Sequence, residues 1–90
     1  MYASIQTFAS VDIRDVINIK DKKLIKVFGL RVRELREAKD LSQEELANLA
    51  DIPLSQIGRI ERGEINPSIS TANAIAKAFK MSLSELFLFG

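Results

Sequence analysis

The sequence contains no cysteine and no histidine. Without cysteine there is no disulfide framework and no thiolate metal site. Without histidine, the commonest general base and metal ligand is missing. These two absences do not fix a compartment, but a reducing cytoplasm suits them best. No apolar run approaches the ~20 residues that a membrane-crossing helix needs. The N-terminus lacks the basic start and unbroken apolar stretch of a signal peptide. Net charge is +1, which by itself says nothing about DNA. Catalytic equipment is also thin: there is no nucleophile–base pair, no Gly-rich phosphate loop and no metal-ligand spacing. Glu44, Glu45, Glu61, Glu64 and Glu85 are explained by caps, ion pairing or solvent. The chain reads as a non-enzyme without metal or cofactor.

What is present is enough for one domain with a single modest core in 90 residues. A hydrophobic fraction of 47% is ordinary for a globular protein and argues against global disorder. Charge is unevenly spread. Between residues 20 and 39 the cations Lys20, Lys22, Lys23, Lys26, Arg31, Arg33, Arg36 and Lys39 outnumber Asp21, Glu34 and Glu37. A local basic face can therefore exist on a nearly neutral chain.

Residues 1–20 form an N-terminal arm of uncertain structure, and residues 21–90 form the domain. In the arm Ile5, Phe8, Val11, Ile13, Val16, Ile17 and Ile19 are apolar, yet no single period fits them. Two readings stay open: a partly ordered arm, or one that packs on the domain or a second subunit. From Asp21, a good N-cap, Leu24, Phe28, Val32 and Leu35 make one helical stripe. Gly29 weakens that helix by roughly 1 kcal/mol relative to alanine, which points to close packing there. Asp40 ends it.

Ser42 and Glu45 have the spacing of a capping box. Leu46, Leu49 and Ala50 then face inward, and the helix ends near Ala50-Asp51. Pro53 opens the next helix, where its missing donor is no loss. Ile57 and Ile60 form the buried side and Gly63 stops the helix. After Asn66-Pro67, Ser68 caps a helix carrying Ile69, Ala72, Ile75, Ala76 and Phe79. A second capping box, Ser82 with Glu85, starts a last helix bearing Leu83, Leu86 and Phe87. The fold class is all-α with five helices.

The pair 42–50 and 53–62 has the shape of a helix-turn-helix, itself a common motif. Residue identity adds more. The outward positions of the second helix are Leu54, Ser55, Gln56, Arg59 and Arg62. Arginine can donate two bonds to guanine, glutamine can pair with adenine, and leucine can touch a thymine methyl. Gln43, in the first turn of the preceding helix, and nearby backbone N–H groups are placed to hold a phosphate. Arg62 at the far end is placed to hold another.

These residues resemble the lambda-repressor/Cro-like helix-turn-helix family, the Xre family. The resemblance runs from Phe28 to Phe87, about two-thirds of the chain. It is carried by 28–36, by Leu41-Ser42-Gln43-Glu44-Glu45-Leu46-Ala47, by Ile57 and Arg59-Ile60-Glu61-Arg62-Gly63, by Asn66-Pro67-Ser68, and by 83–87. It implies a five-helix domain that binds operator DNA as a dimer. By that resemblance Leu54, Ser55, Gln56 and Arg59 read bases, and Ser42, Gln43 and Arg62 hold phosphates. Arg36 and Glu61 match a structural ion pair between the first and third helices. Four positions depart from the family pattern. Asp51 stands for a turn glycine, Pro53 for a serine or threonine cap, Gly58 for a bulkier polar residue, and Glu64 for a frequent lysine.

At the C-terminus, a short helix can bury Leu86 and Phe87 but leaves Leu88 and Phe89 over, which suggests a dimer interface. The reading is a cytoplasmic, homodimeric, sequence-specific DNA-binding transcriptional regulator with double-stranded DNA as partner and no membrane contact. The alternative is an antitoxin or bridging module whose main partner is a protein, a toxin or the transcription machinery. A domain cut from a larger regulator is a third reading.

Overall fold

The Asp21 carboxylate accepts the Leu24 backbone N–H at 3.0 Å and opens the first helix, α1 (Lys22–Ala38). The computed structural model describes residues 21–89, so the expected arm over 1–20 lies outside the described residues. Four more helices follow: α2 (Gln43–Ala50), α3 (Leu54–Glu61), α4 (Ile69–Ala78) and α5 (Leu83–Leu86). No strand occurs among the described residues. The all-α, five-helix architecture read from the sequence is the one observed.

The starts and stops of these helices follow from local chemistry. Ser42 and Ser82 each accept the N–H three residues on, while Glu45 and Glu85 reach back to the serine N–H, so both capping boxes close. Ser68 caps α4 by accepting the Thr71 N–H at 3.0 Å. The four longer helices all end in the same way. Asp40, Asp51, Gly63 and Lys80 take left-handed backbone angles, with φ of 56°, 57°, 70° and 57°. In each case the next residue bonds back to a carbonyl five positions earlier: Leu41 to Arg36, Ile52 to Ala47, Glu64 to Arg59, and Met81 to Ala76. This is the Schellman ending, which satisfies carbonyls that a helix terminus otherwise leaves orphaned.

One buried cluster joins all five helices. Val32, Leu46, Ile57, Ile60, Ile75 and Leu86 are essentially inaccessible, with Phe28 and Phe79 beside them. Fully burying each such side chain contributes about 1.5–3 kcal/mol relative to leaving it exposed. α1 packs on α3, α2 on both α3 and α4, and α5 on α4.

Several inward positions differ from the expectation. In α1 the buried line is Ile25, Phe28, Gly29 and Val32, and Leu24 is 48% exposed. The face turns toward Gly29 because that is where α3 crosses. A Cβ at Gly29 would overlap the Ile60 carbonyl oxygen and lie 2.9 Å from that of Glu61. In α2, Ala47 joins Leu46 and Ala50 in the interior, and Leu49 is exposed on the opposite flank. Ile69, the first residue of α4, is 78% exposed; only from Ala72 onward does that stripe meet the core. Pro53 is the N-cap of α3, not its first helical residue.

The C-terminus also differs. Phe87 is half-exposed although its ring stacks on Phe28, with centroids 5.2 Å apart. Phe89, expected to be left over with Leu88, is half-buried and packs against the core cluster. α5 stops at Leu86, and the Phe89 N–H bonds the Phe87 carbonyl in a tight reversal that turns residue 89 back. Leu88 remains exposed.

Candidate nucleic-acid interface

α2 and α3 are joined by three residues, Asp51, Ile52 and Pro53. The left-handed Asp51 and the Ile52 bond to Ala47, 3.0 Å long, set the direction in which the chain leaves α2. The Pro53 carbonyl then accepts the Gln56 and Ile57 N–H groups and starts α3 without a side-chain cap. At the front of α2, bonds from the Ser42 backbone and hydroxyl hold the Glu45 carboxyl below its ordinary value of 4.5. The Ser42 hydroxyl oxygen accepts the Glu45 N–H at 3.0 Å and completes the cap.

A three-residue brace fixes the pair against α1. Arg36 Nε donates to Glu61 Oε2 at 2.7 Å, and Nη2 donates to Oε1 at 3.1 Å. Arg36 Nη1 also donates to the Leu41 carbonyl at 2.7 Å. Gln43 Nε2 completes the set by donating to Glu61 Oε1 at 3.0 Å. The Glu61 bond, opposed in part by burial, raises the Arg36 pKa above its already high ordinary value. The expected Arg36–Glu61 pair is therefore present and links α1 to α3. The role of Gln43 is broader than the sequence suggested. One amide N–H ties the start of α2 to the end of α3, leaving the other N–H for a further acceptor.

α3 turns Ile57 and Ile60 inward and carries Leu54, Ser55 and Arg59 on its open side, with Gln56 half-buried at the edge. Four of the expected base-reading residues are thus brought onto one short helix. Arg62, expected to hold a phosphate, lies exposed at the end of α3 and is paired. Its Nε and Nη2 donate to Glu64 at 2.7 and 3.3 Å, and both side chains are more than half exposed. That bond holds the Glu64 carboxyl below its ordinary value and raises the Arg62 pKa. Glu64, which stands where the family often has lysine, is here the partner of the neighbouring arginine.

The basic set on α1 is partly spoken for. Arg31 donates to the Glu85 and Leu86 carbonyls at 3.0 and 3.2 Å and closes the end of α5. Arg33 faces Glu37 at 3.6 Å on an exposed turn. Lys22, Lys23 and Lys26 are exposed. Nothing in the sequence marks Arg31 as a cap, because its partners are backbone atoms more than fifty positions away.

The sequence profile of the Helix-turn-helix family matches residues 32–86, which contain α2, α3, α4 and α5 whole. The chain belongs to the helix-turn-helix family. It is of the Xre, lambda-repressor-like type. The HTH-type transcriptional regulator PuuR of Escherichia coli is 39% identical over 59 residues, covering 66% of this chain and 32% of that protein. The chain therefore spans about a third of the length of that relative. Control protein C.SmaI of Serratia marcescens is 37% identical over 60 residues, covering 67% of this chain and 71% of that protein. Among solved structures, the restriction-modification controller protein C.AhdI from Aeromonas hydrophila superposes with a TM-score of 0.68 at 44% identity. That match covers 70% of this helix-turn-helix chain and 96% of the controller protein. No helix among the described residues is long and apolar enough to cross a membrane.

Proposed function

We propose that this helix-turn-helix chain is a cytoplasmic, sequence-specific transcriptional regulator that binds a palindromic operator as a homodimer. The observation that carries the reading is α3. It presents Leu54, Ser55 and Arg59 outward from a backbone held at both ends, by the Asp51 turn and by the Arg36–Gln43–Glu61 brace. A rigid helix with such side chains suits the major groove, where each base pair offers its own pattern of donors, acceptors and methyl groups. Arg59 is the residue suited to a guanine, Gln56 to an adenine, and Leu54 to a thymine methyl. The start of α2, with the Ser42 hydroxyl, the second Gln43 N–H and backbone N–H groups, takes a phosphate. Two such units would enter successive major grooves about 34–36 Å apart. Leu88, 72% exposed, with Phe89 beside it, is the proposed contact between subunits.

Selection of bound sequences from a random duplex pool tests this directly. The expected result is an inverted repeat with half-sites about one helical turn apart. A pool that yields no enriched motif overturns it.

A second reading has its own observation. Leu24, Ile69 and Phe87 are exposed and line one apolar hollow with Phe28 and Pro67. An antitoxin or bridging module would use such a surface for a protein partner. Salt separates the two readings: affinity for random duplex that falls steeply with added salt reports phosphate contacts. Absence of duplex binding at low salt favours the protein-partner reading.

A further inference from the structure

Gly58 lacks a side chain and is nevertheless buried. Its cover is Arg62. A Cβ built on Gly58 would lie 3.0 Å from Arg62 Nη1 and 3.7 Å from Cζ, so the guanidinium fills the room that a side chain at 58 would take. Position 58 follows Leu54 by four residues and Ser55 by three. On a helix these positions share a face. Arg62, which the sequence puts at the far end of the outward face, is thus folded back along it.

Glu64 settles which edge of the guanidinium is available. It accepts from Nε and Nη2, at 2.7 and 3.3 Å. The edge left over is formed by Nη1 and Nη2, which offers two parallel N–H groups. That edge matches the O6 and N7 acceptors of guanine. A phosphate clamp is the poorer fit, because a phosphate brought to this guanidinium also meets the Glu64 carboxylate.

We propose that Arg62 reads a guanine, with Gly58 making room for its guanidinium and Glu64 holding it in plane. The inference rests on the DNA-reading function proposed above and replaces the phosphate role expected for Arg62.

The test uses the full chain. Bound sequences are selected from a random duplex pool with the wild type and with the Arg62→Lys, Glu64→Gln and Gly58→Ala variants, and affinities are measured across a salt series. Arg62→Lys keeps the charge and removes the fork. It is expected to lose preference at one base pair of each half-site, by roughly 5- to 150-fold, with the salt slope unchanged. Glu64→Gln and Gly58→Ala are expected to relax the same base pair. The Gly58→Ala methyl meets only the tip of a flexible exposed side chain, so this variant keeps its fold. Far-ultraviolet circular dichroism checks that each variant is folded.

An Arg62→Lys variant that selects the wild-type sequence overturns the proposal. So does an Arg62→Ala variant that weakens all sequences alike while the salt slope falls by about 0.9 per lost phosphate contact. In both cases the DNA-binding function itself still stands. A wild type that shows no salt-dependent duplex binding instead removes that function, and this inference with it.

Discussion

Arg36 and Glu61 meet through two parallel hydrogen bonds, 2.7 and 3.1 Å long, with 12% and 3% of their side chains exposed. A pair this dry is worth less than its geometry suggests, because both charges have left water. Breaking it is another matter. Arg36→Ala strands a buried carboxylate and is expected to cost ~3–5 kcal/mol, read as a lower urea midpoint. Removing both charges, with Arg36→Met and Glu61→Met together, is expected to cost less than the sum of the single changes. A double variant whose loss equals that sum would show that the two residues are not coupled.

Gly29 sits where α1 crosses α3, and its neighbours there are backbone atoms. The added methyl of Gly29→Ala would meet the Ile60 and Glu61 carbonyls, which cannot swing aside as a side-chain tip can. Helix propensity favours alanine by roughly 1 kcal/mol. Overpacking of a tight contact costs about 1–3 kcal/mol, and at this crossing it is expected to win. Thermal denaturation should show a lower melting temperature for Gly29→Ala. A higher one would mean that the helices separate freely at this point.

The repeated helix endings predict the opposite sign. Asp51 and Lys80 hold left-handed angles that cost an L-residue roughly 1–2 kcal/mol. Glycine adopts them without strain but loses more chain entropy on folding, by about 0.5–1 kcal/mol. The net expectation for Lys80→Gly, and separately for Asp51→Gly, is a stabilisation of about 0.5–1 kcal/mol. Chemical denaturation measures it. A loss of stability in both variants would show that their side chains contribute more than the strain removes.

The division between what the sequence discloses and what it conceals follows interaction range. Caps are local: Asp21, Ser42, Ser68 and Ser82 bond within three residues, so spacing alone finds them. Helix faces are set by neighbours. A stripe through Leu24 is the best count of apolar residues, but Gly29 contributes contact without a side chain and rotates the buried face onto Ile25. Phe87 and Phe89 exchange places because α5 ends one residue before Phe87, where a continued helix would have placed the ring inward. In the candidate site the positions on α3 were legible from periodicity and resemblance. The partners of Gln43 and Arg31 were not, since each is chosen among several acceptors by tertiary approach.

Acid should weaken the caps. Bonds from Ser42 and Ser82 lower the pKa of Glu45 and Glu85 in the folded chain from the ordinary 4.5, and Arg62 lowers that of Glu64. A carboxyl with a lowered folded pKa binds its proton more readily when unfolded. Its contribution is therefore complete above about pH 4.5 and is lost as pH falls through the folded value. The expected melting temperature is flat toward neutral pH and falls below that point. Glu45→Gln should melt lower at neutral pH and show a shallower acid fall than the wild type. An equal fall in both would place the acid-sensitive groups elsewhere.

Gln43 and Arg59 should fail in different ways when replaced. Arg59 is exposed on α3, and the Arg59→Ala change removes no hydrogen bond within the described residues. Stability is expected to hold while base preference relaxes at one position of each half-site, by about 1–3 kcal/mol. Gln43 has a structural role beside the proposed phosphate contact, since its amide already holds Glu61 at 3.0 Å. Gln43→Ala should weaken binding to all duplexes nearly evenly. It should also cost about 1.5–3 kcal/mol of stability, as expected for a bond to a charged group. Duplex affinities on matched and mismatched sites, set beside urea melts of the same variants, separate the two. An unchanged sequence preference and affinity in Arg59→Ala would refute the proposed base-reading role. An unchanged melt in Gln43→Ala would show that the brace holds on Arg36 alone.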